Sequence, residues 1–164
     1  MAFDLFLKID GLPGECTDDK HKDWIQLLSF STDITHPSTA GTGGAAATPA
    51  RADFHDFSIV KYLDKTSPKL ALASASGFRV SEIKLELCRA GGDKFKFMEY
   101  KMNNCVITSW KNGGNARAVD VVPVEEVAFH FGKIQYTYSQ QKRPDGSGGG
   151  NVTSNWDLMA NKGS

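Results

Sequence analysis

The stretch VSEIKLELCRAGGDKFKFMEYKM, residues 80–102, decides how the chain reads. Its first arm places Ile83, Leu85 and Leu87 on one parity, with charged residues between them. Ala90-Gly91-Gly92-Asp93 is a tight connection, and in the second arm Phe95 and Phe97 alternate with lysines. A period of two on both sides of a glycine-rich turn predicts two antiparallel strands with one buried face.

The same period recurs outward in both directions. Residues 3–10 put Phe3, Leu5, Leu7 and Ile9 on one side, and mostly Asp4, Lys8 and Asp10 on the other. Residues 24–34 read as a second strand. Its inner face carries Trp24, Leu28, Phe30 and Ile34, so that Ser29 and Ser31 look outward. Residues 53–63 give a third strand, and residues 104–110 a further one. Residues 124–138 form a long final ladder in which Gly132 shifts the parity through a bulge. Only Ser67-Pro68-Lys69 through Gly77 reads as a helix: Ser67 as N-cap, Pro68 in the first turn, Gly77 at the C-terminal stop. About eight strands and one helix in a single domain, residues 1–164, predict a mainly β fold. The expected form is a small antiparallel β-barrel of two packed sheets with one short flanking α-helix.

Two segments interrupt this pattern. Residues 36–52 form a long inter-strand loop without a large apolar side chain, and a loop of that length inside a small domain is usually functional or disordered. Residues 143–154 read as a Gly/Ser-rich linker to a C-terminal strand around Trp156, which anchors the returning tail on the fold.

Bulk properties narrow the function. Nineteen Lys plus Arg balance nineteen Asp plus Glu, so no electrostatic footprint for nucleic acid is present. The N-terminus lacks the pattern of a cleaved signal peptide, and no apolar run is long enough for a membrane-spanning helix. Cys16, Cys88 and Cys105 have no zinc-finger spacing and read as free thiols. His21, His36, His55 and His130 are not spaced as metal ligands, and Asp53 with His55 lacks further partners. Neither a phosphate-binding loop nor a Gly-x-Ser-x-Gly elbow occurs. Glu125 and Glu126, as strand neighbours, face opposite sides. No catalytic residue, cofactor or metal site is expected.

The ordered set of local stretches nevertheless has a familiar shape. MAFDLFLKID (1–10), followed by Gly14, Glu15 and His21, then IQLLSFS (25–31) and DFSIVKYLDKTSPKL (56–70), resembles Hcp, the haemolysin-coregulated family of type VI secretion. RAGG (89–92), EEV (125–127), GKI (132–134) with Tyr138, and NWDL (155–158) extend the resemblance over essentially the whole chain. Cys16, Phe30 and Thr32 depart from the residues common in that family.

The resemblance implies a non-enzymatic tube subunit. Six copies would form a ring and rings would stack. The tube would leave the bacterial cytoplasm without a cleaved signal, pushed by the contractile sheath and tipped by the spike protein VgrG, with secreted effectors in its lumen. It implies that the long loop contacts the next ring through Pro37, Thr39, Gly41, Gly43, Gly44, Ala47 and Pro49, ordering on stacking. It places Ser29 and Ser31 on the lumen wall, and makes Lys61, Asp64, Ser67, Pro68 and Trp156 part of the structural motif. The alternative is a stand-alone ligand-binding β-barrel module.

Overall fold

The structure, a computed structural model, describes residues 2–37, 51–117, 119, 122–142, 144 and 149–164. In chain order the elements are β1 (Phe3–Ile9), β2 (Ile25–Leu27), β3 (Ser29–Ser31), β4 (Ile34–Thr35), β5 (Asp53–Phe54), β6 (Phe57–Tyr62), α1 (Ser67–Ser76), β7 (Arg79–Arg89), β8 (Lys96–Gly113), β9 (Val124–His130), β10 (Lys133–Gln140), β11 (Gly150–Asp157) and β12 (Lys162–Gly163). Ten strands belong to one sheet, and β4 with β5 makes a separate two-stranded ribbon.

β8 organises the large sheet. Its first half lies between β7 and β10, while its second half pairs with β9. From there one run continues β9–β6–β3 and the other β7–β1–β2. The two runs form two layers that share β8. β9 and β10 follow the bend of β8 as its antiparallel partners, so the ladder expected over residues 124–138 is two strands. The break falls at Phe131-Gly132, opposite Asn103-Asn104. Gly132 N–H donates to both Asn103 O, at 3.0 Å, and Asn104 O, at 3.2 Å. A Cβ on Gly132 would sit 3.2 Å from Asn104 Cβ, so this corner favours glycine.

The sheet does not close as a barrel. The ladder from β1 ends at β2 and the ladder from β6 ends at β3, with Leu28 between them. Leu28 N–H donates to Val60 O at 2.8 Å as the chain passes from one layer to the other. That crossing changes the parity. Ile25 and Leu27 are buried before it and Phe30 faces the core after it, while Leu28 and Ile34 are exposed. A single inner face across residues 24–34 is therefore not what forms.

β1 also departs from simple alternation, because Phe6 is as buried as Leu5 and Leu7. The segment 11–24 folds over its outer face and stacks His21 on Phe6, with ring centroids 4.0 Å apart. Phe3, at the strand start, stays half exposed. Between the layers, Phe57 stacks on Phe129 at 5.3 Å and meets Tyr100 edge-on at 5.6 Å. Aromatic pairs in these geometries add about 0.5–1.5 kcal/mol each beyond area burial.

The helix covers one end, with Leu70 and Ala73 buried. Thr66, not Ser67, holds the N-cap position, and Pro68 stands in the first turn as expected. Gly77 ends the helix in the left-handed region at φ 66°, its N–H returning to Ala73 O. A residue with a Cβ is strained there. β11 begins at Gly150, so the second half of the segment expected to be a linker is paired strand against β10.

Candidate functional site

The outer face of the β3–β6–β9–β8 layer is built by register. Ser31 pairs with Ser58, Ser58 with Ala128, and Ala128 with Ser109. Four small residues therefore cross four strands in one row. The next row on that face is Ser29, Val60, Glu126 and Lys111. Ser29 and Ser31 are both exposed, as the outward parity of the Phe30 strand requires. Without bulky side chains the row at Ser31 is nearly flat, and it offers hydroxyls that donate and accept hydrogen bonds.

Directly behind this face lies a buried ionic knot. Lys61 shares the inner parity of Phe57 and Ile59, and Glu125 that of Val127 and Phe129. They are cross-strand partners, and their side chains are fully buried and in contact. Lys61 Nζ also donates to Asp64 Oδ1 at 2.8 Å and to Tyr62 O at 3.1 Å. Ser67 Oγ donates to Glu125 Oε1 at 2.9 Å and accepts from Asp64 N–H at 3.0 Å. Trp110 Nε1–H donates to Glu125 Oε2 at 3.0 Å. Thr66 contributes its N–H to Asp64 Oδ1 at 2.8 Å, and its hydroxyl as well. A buried charge pair is tolerated only when such bonds satisfy its remaining donors and acceptors. The knot fastens the turn that starts α1 to the centre of the second layer. The expected motif residues Lys61, Asp64 and Ser67 are thus brought together, with Pro68 next in the chain.

Trp156 lies elsewhere. It is paired with Ile134 in β10 and stacks on Phe54 of the small ribbon at 6.1 Å. This joins the last long strand to the base of the long loop. Of the loop positions, Pro37 is exposed; Thr39, Gly41, Gly43, Gly44, Ala47 and Pro49 lie outside the described residues.

A second polar cluster was not legible from spacing. His21 Nδ1 is 2.8 Å from Asp18 Oδ2, and its Nε2 is 2.7 Å from Glu86 Oε2. Cys88 Sγ lies 3.9 Å from the same Nε2. Lys94 pairs with the other oxygen of Asp18, and these bonds, Lys94 first and His21 next, hold the Asp18 carboxyl at about 2. Burial pushes the Cys88 thiol up to about 11. The other expected polar groups remain peripheral. His55 Nε2 sits 4.0 Å from Asp53 Oδ2, and His130 Nδ1 3.1 Å from Asp56 Oδ1, all substantially exposed. Glu125 and Glu126 separate to opposite faces, as the strand requires.

Comparison with known proteins gives one consistent answer. The family described as "Type VI secretion system effector, Hcp" matches residues 6–138. The protein hcp1 of Pseudomonas aeruginosa is 28% identical over 162 residues, covering 98% of each chain. A solved type six secretion system protein superposes with a TM-score of 0.90 at 32% identity, over 99% of this chain and 100% of the other. Hcp1 from Salmonella typhimurium superposes with a TM-score of 0.80 at 27% identity, over the full length of both chains. Sequence family, whole-length coverage and fold agree: the chain belongs to the Hcp family, the tube proteins of type VI secretion.

Proposed function

We propose that this chain acts as a ring-forming tube subunit, with the β3–β6–β9–β8 face turned to the lumen and Ser29 and Ser31 on the channel wall. The observation that carries the orientation is the row Ser31–Ser58–Ala128–Ser109. A wall of short side chains keeps a channel wide, and its hydroxyls give a passing effector weak, exchangeable hydrogen bonds. The ionic knot behind the wall makes it rigid, because each of its charges is tied to a neighbouring strand or to the α1 turn. Six copies per ring, stacking through residues 37–49, and association with a VgrG spike, a contractile sheath and exported effectors complete this reading. No step in it calls for catalysis or a cofactor.

Light scattering with negative-stain imaging of the same sample tests it. The expected result is the mass of six 17.9 kDa chains and annular particles. A monomer at high concentration refutes the ring and leaves a stand-alone ligand-binding module. With rings in hand, Ser31→Trp narrows the channel. Annuli that persist while effector retention falls support the lumen face, and unchanged retention refutes it.

A further inference from the structure

His21, Glu86 and Cys88 place three different metal-donor atoms in one pocket, all within 4.8 Å of one another. Glu86 and Cys88 are two residues apart on β7, and His21 comes down on them from the segment 11–24. His21 and Cys88 are buried, and the Glu86 side chain retains 13% exposure. The ring of His21 is fixed on three sides. Phe6 stacks on it at 4.0 Å, Trp24 meets it edge-on at 4.8 Å, and Asp18 holds Nδ1 at 2.8 Å. That last contact leaves Nε2 as the donor facing Glu86 and Cys88. A carboxylate on the far nitrogen of a histidine is the usual outer support of a metal-bound imidazole.

We propose that this cluster is a binding site for a thiophilic divalent cation of the zinc class, ligated by His21 Nε2, Glu86 Oε2 and Cys88 Sγ, with Asp18 as the outer carboxylate. One imidazole, one carboxylate and one thiolate are common ligands of Zn²⁺, and the thiolate selects against calcium and magnesium. Metal binding displaces the Cys88 thiol proton, and any proton carried on Nε2, to the buffer. The doubly ionised donor set then balances the charge of the cation. The partly exposed Glu86 side is the way in. In such a protein the metal would clamp the segment 11–24 onto β7 across a sequence separation of 65 residues.

Metal-free protein, intact and at full length, is titrated with Zn²⁺ by calorimetry and with Co²⁺ by absorption. The expected result is one ion per chain and a near-ultraviolet thiolate-to-cobalt band. Cys88→Ser should abolish the band and weaken zinc binding at least about tenfold, and Asp18→Asn should weaken it by about 10–100-fold. Cys16→Ser should change neither. Should Cys88→Ser fail to fold, Glu86→Gln is read in the same two assays, with weaker zinc binding expected. No zinc binding by the parent protein, or a thiolate band and affinity that survive Cys88→Ser or are lost with Cys16→Ser, overturns the site. An affinity unchanged in Glu86→Gln overturns the assigned ligand set.

Discussion

Lys61 and Glu125 face each other across the β6–β9 ladder with neither side chain exposed to solvent. Removing one partner leaves the other charge buried without its counterion, a loss of about 3–5 kcal/mol, whereas replacing both with apolar residues is often neutral. Lys61→Met should therefore lower the urea midpoint strongly at a fixed protein concentration. The double variant Lys61→Met with Glu125→Leu should recover part of the loss, the remainder reflecting the unpaired Ser67 and Trp110 donors. A single variant with an unchanged midpoint contradicts the knot.

Asp18 gives the metal-free protein a specific acid sensitivity. Its carboxyl is held at about 2 against an ordinary 3.8, by Lys94 first and His21 second. The unfolded chain takes up this proton at a higher pH than the folded one. The stabilisation is thus complete above the ordinary value and disappears as the pH falls through the folded one. Melting temperatures of the parent and Asp18→Asn should lie furthest apart above pH 3.8 and converge toward pH 2. A constant gap across that window refutes the assignment.

The three thiols should separate by reactivity. Burial pushes Cys105 up to about 12 and Cys88 to about 11, while Cys16 is only partly buried. Thiolate is the reactive form, so the two strand cysteines are both inaccessible and protonated near neutrality. An aromatic disulfide reagent should titrate one thiol per chain in native buffer, lost in Cys16→Ser, and three after denaturation. Rapid native labelling of Cys105 would contradict the packing of β7 on β8.

Much of this was legible in the alternation of apolar residues. The first arm before Gly91-Gly92 is β7, and the outward parity of Ser29 and Ser31 holds because the Phe30 strand has one buried side. The second arm and the strand expected over 104–110 are one strand, β8, and its register, shifted at Leu87/Cys88, puts Met98, Tyr100 and Met102, not the Phe95–Phe97 parity, opposite Leu87, Leu85 and Ile83. The ionic knot was also within reach. Lys61 falls on the parity of Phe57 and Ile59, and Glu125 on that of Val127 and Phe129, a conflict that a buried pair resolves. The layer crossing at Leu28 was not legible. It depends on a hydrogen bond to Val60 from a distant strand, and local propensity carries no trace of that. The His21 cluster was hidden for the same reason. Its members come from the segment 11–24 and from β7, and only the folding of that segment over Phe6 brings them together.

Gly14 controls whether that segment closes. Its N–H donates to Asp23 O at 2.7 Å, and Cys16 and Asp23 exchange further bonds with this short backbone pairing, to Trp24 O and Cys16 O. A Cβ on Gly14 would lie 2.2 Å from Trp24 O and 2.6 Å from Trp24 C, atoms of the backbone that no rotamer change can move. The pairing must open to admit it. Because Trp24 meets His21 edge-on and His21 in turn stacks on Phe6, opening it also loosens the cover on the outer face of β1. The neighbouring Glu15 accepts Lys65 N–H at 2.9 Å, so the disturbance reaches the turn before α1. Gly14→Ala should cost about 1–3 kcal/mol, as overpacking against a fixed neighbour does. Amide exchange should quicken at Cys16, Asp23 and Lys65 while Ile83 and Leu85 in β7 stay protected. Gly92→Ala is the matched control, since nothing lies within 4 Å of its added Cβ. It should stay within about 0.5 kcal/mol of the parent. Equal stability of the two variants would mean that the close approach at Trp24 does not hold the segment down, and that the contacts of His21 alone do.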